Sequence, residues 1–215
     1  RTAPPYNHFT QIGDPVLRLQ SEQVSSEQLD SKEIHDIVQQ MVQVLRHYDC
    51  VGIAAPQIGV PLRIIAMEFH EGKRQQFTPE VYAQRKMSTL PLAVSLPSII
   101  LTLITLKCAY LQVFINPTLE LLGEEQNTHP EGCMSVRGYS AEVERYDRVR
   151  ISGIGMLGTP SVLELSGWSA RIAQHEMDHL NGIIYIDRMI VSSFMCNTWQ
   201  KINEAGGCAA IEFQK

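Results

Sequence analysis

The hexapeptide Gln174-His175-Glu176-Met177-Asp178-His179 constrains this chain more than any other stretch. It lies in a convincing helical run from about Gly167 to Asn181, with Gly182 in the usual stop position. On a helix, histidines four apart project about 40° apart around the axis, so both imidazoles can face one metal ion. Glu176 falls about 60° from His179 on the same side, close to the ion without having to bind it. Two nitrogen ligands and a carboxylate that takes a proton from water are what a metal hydrolase needs. Asp178 falls on the other flank, where it is better placed to orient a neighbour than to act as a base.

A histidine pair at this spacing also recurs by chance on exposed helices, and the glutamate between them weakens that reading. H-E-x-x-H alone suggests a zinc peptidase, whose third protein ligand usually follows downstream. No histidine follows His179, and the only later glutamates, Glu204 and Glu212, lie in a tail that reads as peripheral. Upstream, Glu131-Gly132-Cys133-Met134-Ser135 offers a cysteine beside a glycine, which permits close approach of backbone to a bound substrate. A thiolate is a soft, strong ligand for zinc or Fe(II), so Cys133 is a candidate third ligand. On spacing alone it reads more readily as an ordinary buried cysteine.

Composition narrows the setting. A length of 215 residues fits one domain, with room for an added segment. With 18 basic and 23 acidic residues the net charge is −5 and no basic block stands out, which argues against a phosphate-tracking nucleic-acid binder. At 44% hydrophobic and 19% charged, the chain can bury a core and is not disordered. Five cysteines, an odd and scattered number, point to a reduced compartment rather than a disulfide framework. The sequence starts at Arg1, so any targeting segment lies upstream of it.

Along the chain, Gly13-Asp14-Pro15 marks a turn. Ile34, Ile37, Val38, Met41, Val42, Leu45 and Tyr48 recur at helical steps, predicting a helix over 31–47 capped by Asp30 or Ser31, with His35 and His47 idle in solvent. Cys50–Gly59 has neither period and reads as a small-residue loop. Leu62–Phe69 is a strand candidate, and 70–86 is polar, with no chemistry to read. Val113–Asn116 reads as a short strand stopped by Pro117, with Thr118–Leu122 pairing beside it. Val149–Gly153 and Ser161–Leu165 form two strands around a Gly155–Pro160 turn, and Ser192–Lys201 a helical tail. Central strands with helices at the two ends make this an α+β domain.

Gly52-Ile53-Ala54-Ala55-Pro56-Gln57, then Glu131–Ser135, then Gln174–His179 together resemble the peptide deformylase family, most of all its animal mitochondrial members. Gly13–Arg18, Phe114–Pro117 and Gly167-Trp168 extend the likeness over nearly all of the chain except roughly 70–112 and the last dozen residues. The resemblance implies small antiparallel sheets packed around the H-E-x-x-H helix. It implies that Cys133, His175 and His179 hold one divalent metal, natively Fe(II), with Zn, Ni or Co as substitutes, and that a water completes the site. Glu176 would be the general base and then the acid, while Gln57 and the Met134 backbone N–H would stabilise the oxyanion. Val51, Gly52 and Gly132 would bind the substrate backbone, and Glu131 would pair with Arg145 structurally. The implied substrate is the N-formyl-Met end of a nascent polypeptide, which loses formate near the ribosome in the mitochondrial matrix, with no specific nucleic acid and no membrane span. Cys50 replaces the family's usual glycine, Glu144 stands where relatives often show proline, and Met134 keeps its position apolar. An H-E-x-x-H endopeptidase indifferent to Cys133, and a metal-binding homologue without catalysis, remain the alternatives.

Met87–Leu106 carries no charge over membrane-span length, although Pro91 and Pro97 interrupt it. Removing Val94–Gln112 joins Pro91-Leu92-Ala93 to Val113-Phe114-Ile115-Asn116-Pro117, the text that the family pattern wants. The piece starts Val-Ser and ends in Gln, which fit intron-border codons in frame. Residues 1–215 are therefore read as one domain with an apolar insertion at 94–112, a retained intron in preference to a genuine loop insertion or a membrane-active segment.

Overall fold

The computed structural model describes residues 3–75, 77–91 and 110–208. Helix α1 (Lys32–His47) starts where Ser31 Oγ accepts the Ile34 N–H at 3.3 Å. Its buried stripe of Ile34, Ile37, Val38, Met41, Val44 and Leu45 packs on one face of a sheet. That sheet contains β1 (Gly52–Ala54), β2 (Ile64–Glu68), β3 (Leu111–Leu121), β6 (Arg148–Ile154) and β7 (Pro160–Ser166), in the order β1-β2-β3-β6-β7, with every neighbour antiparallel. Strand β2 shows why its sequence is apolar at every step. Ile64 and Ala66 face α1, while Ile65 and Met67 face α4 (Gly167–Leu180) through Ala170, Ala173, Met177 and Leu180. The H-E-x-x-H helix is thus buried against the sheet.

A second sheet is built from β4 (Gln126–Cys133), β5 (Val136–Tyr146) and β8 (Met195–Cys196), in that order. The β4–β5 hairpin has no counterpart in the sequence reading, because its inward positions carry Glu131 and Arg145 and so erase the apolar alternation. Two short helices, α2 (Glu71–Arg74) and α3 (Pro79–Gln84), fill the stretch read as featureless. A last helix, α5, spans Trp199–Glu204. No helix among the described residues is long and apolar enough to cross a membrane.

Several expected boundaries are corrected. Strand β3 does not stop at Pro117; it runs on to Leu121, so Thr118–Leu122 is its continuation and not a neighbour. The register shifts between Ile115 and Thr118, Asn116 takes a φ of 53°, and the residue without an N–H falls in that bulge. Asn116 then clamps Val24 with two 2.8 Å hydrogen bonds, from Val24 N–H and to Val24 C=O. The small-residue loop contains β1 and a 3-10 turn at Ala55–Ile58. In the tail only Trp199–Glu204 is α-helical, because Val191–Ser193 forms a tight turn and β8 follows.

Most of the proposed insertion, 94–109, lies outside the described residues. Its last residues, Leu111 and Gln112, lie in β3 opposite Glu68 and Met67, and Gln112 Nε2 donates to Pro91 C=O at 2.7 Å.

Candidate active site and metal centre

Three elements bring the candidate ligands together. Cys133 ends β4, where a Met134-Ser135 turn leads into β5, and His175 and His179 project from α4. One potential ligand atom from each lies within 4.8 Å of the others, and Cys133 Sγ is 3.3 Å from His179 Nε2. Glu131 Oε2 lies 3.0 Å from His175 Nδ1, which turns the other ring nitrogen toward the cluster. A sulfur and two imidazole nitrogens at this spacing fit a divalent ion that prefers soft and borderline donors.

Burial sorts the cysteines. It would raise the Cys133 thiol, but His179 and His175 beside it hold it well below its ordinary value. Burial pushes Cys50 up to about 12 in spite of the Lys73 charge, so it stays a thiol. Of these two, Cys133 has the character of a ligand.

Glu176 is buried, and one of its oxygens, Oε2, has no hydrogen-bond partner among the described residues. Burial pushes its carboxyl up to about 7, against the opposing pull of His175 and His179. It fits only because residue 52 is glycine, since a Cβ there would stand 2.3 Å from Glu176 Oε1. Gln57 is oriented by its own turn. Its Oε1 accepts the Ala54 N–H at 2.8 Å, leaving Nε2 aimed at Cys133 Sγ (3.4 Å) and Ser135 Oγ (3.3 Å). The Met134 turn is tied down through its C=O, which accepts from Gln11 Nε2 at 2.9 Å.

Beneath the cluster is a charge network. Arg145 donates to both oxygens of Glu131 at 3.0 Å and also reaches Asp178 Oδ2, which Arg188 binds from outside at 2.7 Å. Arg171 donates to Glu131 Oε1 at 2.7 Å and to Val143 and Asn127. Burial alone would raise the Glu131 carboxyl, yet hydrogen bonds from His175 and Arg145 and the Arg145 charge hold it far below the carboxylate range. The expected Glu131–Arg145 pair is present, and Asp178 does orient neighbours as its flank suggested. The sequence reading missed Arg171 and the bond from Glu131 to His175. An arginine four residues before His175, one helical turn away on the same face, was the available signal.

Cys133, His175 and Glu176 line a cavity of about 350 Å³. Strands β1 and β4 are edge strands of two different sheets, and Val51, Gly52 and Gly132 all border the cavity. An extended peptide can therefore pair with backbone on either side. Phe77 and Trp168 add an edge-to-face wall with ring centroids 6.2 Å apart. Phe77 comes from the stretch in which the sequence offered nothing to read. Gly132 is not required by packing, because a Cβ there meets only Tyr139 C=O at an ordinary 3.5 Å.

Residues 6–193 match the family model described as polypeptide deformylase. The chain is 40% identical over 201 residues to human "Peptide deformylase, mitochondrial", covering 94% of this chain and 75% of that protein. Among solved structures it resembles a class I type b peptide deformylase from Acinetobacter baumannii bound to Met-Ala-Ser. The TM-score is 0.65 at 26% identity, over 84% of this chain and 96% of that one. A peptide deformylase from Synechococcus elongatus in complex with actinonin gives a TM-score of 0.64 at 26% identity, over 97% and 92% of the two chains. With the ligand cluster, the buried glutamate and the two facing edge strands in one cavity, the chain belongs to the polypeptide deformylase family.

Proposed function

We propose that this protein is a metal-dependent hydrolase that removes the N-formyl group from the initiator methionine of newly made polypeptides and releases formate. The observation that carries this reading is the buried Glu176 beside the Cys133, His175 and His179 cluster, in a cavity walled by two open strand edges. Cys133, His175 and His179 would hold a divalent ion, Fe(II) natively and Zn, Ni or Co as substitutes. Such an ion supplies a water that ionises near neutral pH and a positive centre for the formyl oxygen.

The chain's own groups supply the rest. Glu176 takes the proton of the attacking water and returns it to the leaving amine; a carboxyl near 7 is suited to both steps. Gln57 Nε2 and the Met134 N–H donate to the oxygen on which charge develops, and the short Ala54 bond fixes Gln57 before the substrate arrives. Val51, Gly52 and Gly132 hold the substrate backbone extended, with its formyl end toward Glu176. Glu131 fixes the His175 ring.

The place of action is mitochondrial by likeness to the human relative's name, in the matrix beside the emerging nascent chain. The test is release of formate from formyl-Met-Ala-Ser by purified protein loaded with Fe(II) or Zn. Release that survives Glu176→Ala would overturn the mechanism. Full metal binding by a Cys133→Ala, His175→Ala double variant would overturn the ligand set. The retained-intron reading of 94–112 has a separate test. An Ala93–Val113 junction in the mature transcript supports it, and consistent absence of that junction rejects it.

A further inference from the structure

Two arginines border the cavity, and they differ in what neutralises them. Arg171 is buried and bound to Glu131 and to two backbone carbonyls. Arg137, near the start of β5, is half-buried, and no carboxylate oxygen lies within 4.0 Å of it among the described residues. Its guanidinium carbon lies 5.9 Å from the centroid of the Tyr48 ring. Asn197 borders the cavity at the same end, held there because its N–H donates to Gly138 C=O at 2.9 Å. Ser140 Oγ donates to Asn197 Oδ1 at 2.6 Å, so the other half of that amide, a donor, is left for the cavity.

We propose that Arg137 and Asn197 form a distal anion subsite, which favours substrates with an acidic side chain two or three residues after the formylated methionine. The proposal rests on the deformylase reading of the cavity. A peptide whose formyl end meets Glu176 beside Gly52 runs back along Val51 and Cys50 at about 3.3 Å per residue. That brings its second or third residue toward Tyr48 and Arg137. Asp49 borders this end as well and opposes an acid, but its Oδ1 lies 3.7 Å from the Lys73 ammonium, which offsets that charge. Asn197 lies outside the residues matched by the family model, so this half of the subsite is a property of the chain's own tail.

The test compares kcat/KM for amide-capped formyl peptides differing in one charge: formyl-Met-Ala-Asp against formyl-Met-Ala-Lys, and formyl-Met-Asp-Ala against formyl-Met-Lys-Ala. The Asp-to-Lys ratio within each variant cancels any general loss of activity. In the unaltered protein at low salt the better pair should give a ratio of about three to five. Arg137→Gln should bring it near one, Arg137→Glu should invert it, and Asn197→Ala should lower it. A ratio near one in the unaltered protein, a preference for Lys, or a ratio untouched by Arg137→Gln would overturn the subsite. If no peptide releases formate, the deformylase reading fails instead. The same ratio, measured by calorimetric binding of the unformylated peptides, then decides the subsite by the same criteria.

Discussion

Glu176 and Asp178 stand two residues apart on α4, both buried, and the fold treats them in opposite ways. Asp178 faces the second sheet, where Arg145 and Arg188 occupy both of its oxygens. Glu176 faces the cavity, with one oxygen pressed toward Gly52 and the other without a partner. A buried carboxylate that is fully bonded holds structure together. One that is buried and left without donors holds its proton tightly enough to carry it at neutral pH, which is a use rather than a defect. The same helix therefore has a structural side and a chemical side, separated by the row of histidines.

That division can be broken at four points. The largest effect is expected from Glu176→Gln, which keeps the shape and removes the proton carrier. Formate release should fall by about 10³-fold while metal content and thermal midpoint stay put. A large stability change instead would put Glu176 on the structural side. Asp178→Asn should do the reverse, costing about 3 kcal/mol in urea unfolding because the buried Arg145 loses one of its two interior counter-charges. Next, Gly52→Ala should lower kcat by about 10²-fold, since the new methyl group displaces Glu176 without unpairing any charge. Unchanged kcat there would show that the exact seat of Glu176 does not matter. The smallest change is expected from Arg150→Ala. Its pairs with Glu120 and Glu164, both at 2.7 Å, are exposed, and the urea midpoint should stay within the scatter of repeat measurements.

Much of the chemical side was legible in the sequence, because side chains on a helix keep a fixed angular relation and His175, Glu176 and His179 carry it within five residues. Cys133 and Gln57 were legible only through their resemblance to family motifs; their distance from the helix along the chain says nothing about proximity. The structural side was harder to read. Arg145 and Arg171 look like surface residues in the sequence, and only the fold supplies the buried Glu131 and Asp178 that make them interior ones. In β4 and β5 the inward-facing charges removed the alternation by which strands are recognised. Pro117 misled for a different reason, since a bulge at Asn116 accommodates a residue that would otherwise end the strand. Lys73 was the hardest to foresee. It is buried at the base of the Cys50 loop and donates to the Cys50 carbonyl, a contact that no local pattern announces.

The hydrogen bond between Gln112 Nε2 and Pro91 C=O has a consequence for how this protein tolerates variation in length. It fastens the two sides of a seam next to the Leu111–Glu68 pairing, so β3 enters the sheet from the same place whatever chain connects the two points. Closing a connection between fixed ends costs only about 0.6 kcal/mol more for each doubling of its length. The seam is therefore a graft point for engineering only between Pro91 and Leu111, because excision of 94–112 would take Gln112 and Leu111 with it and remove the fastening itself.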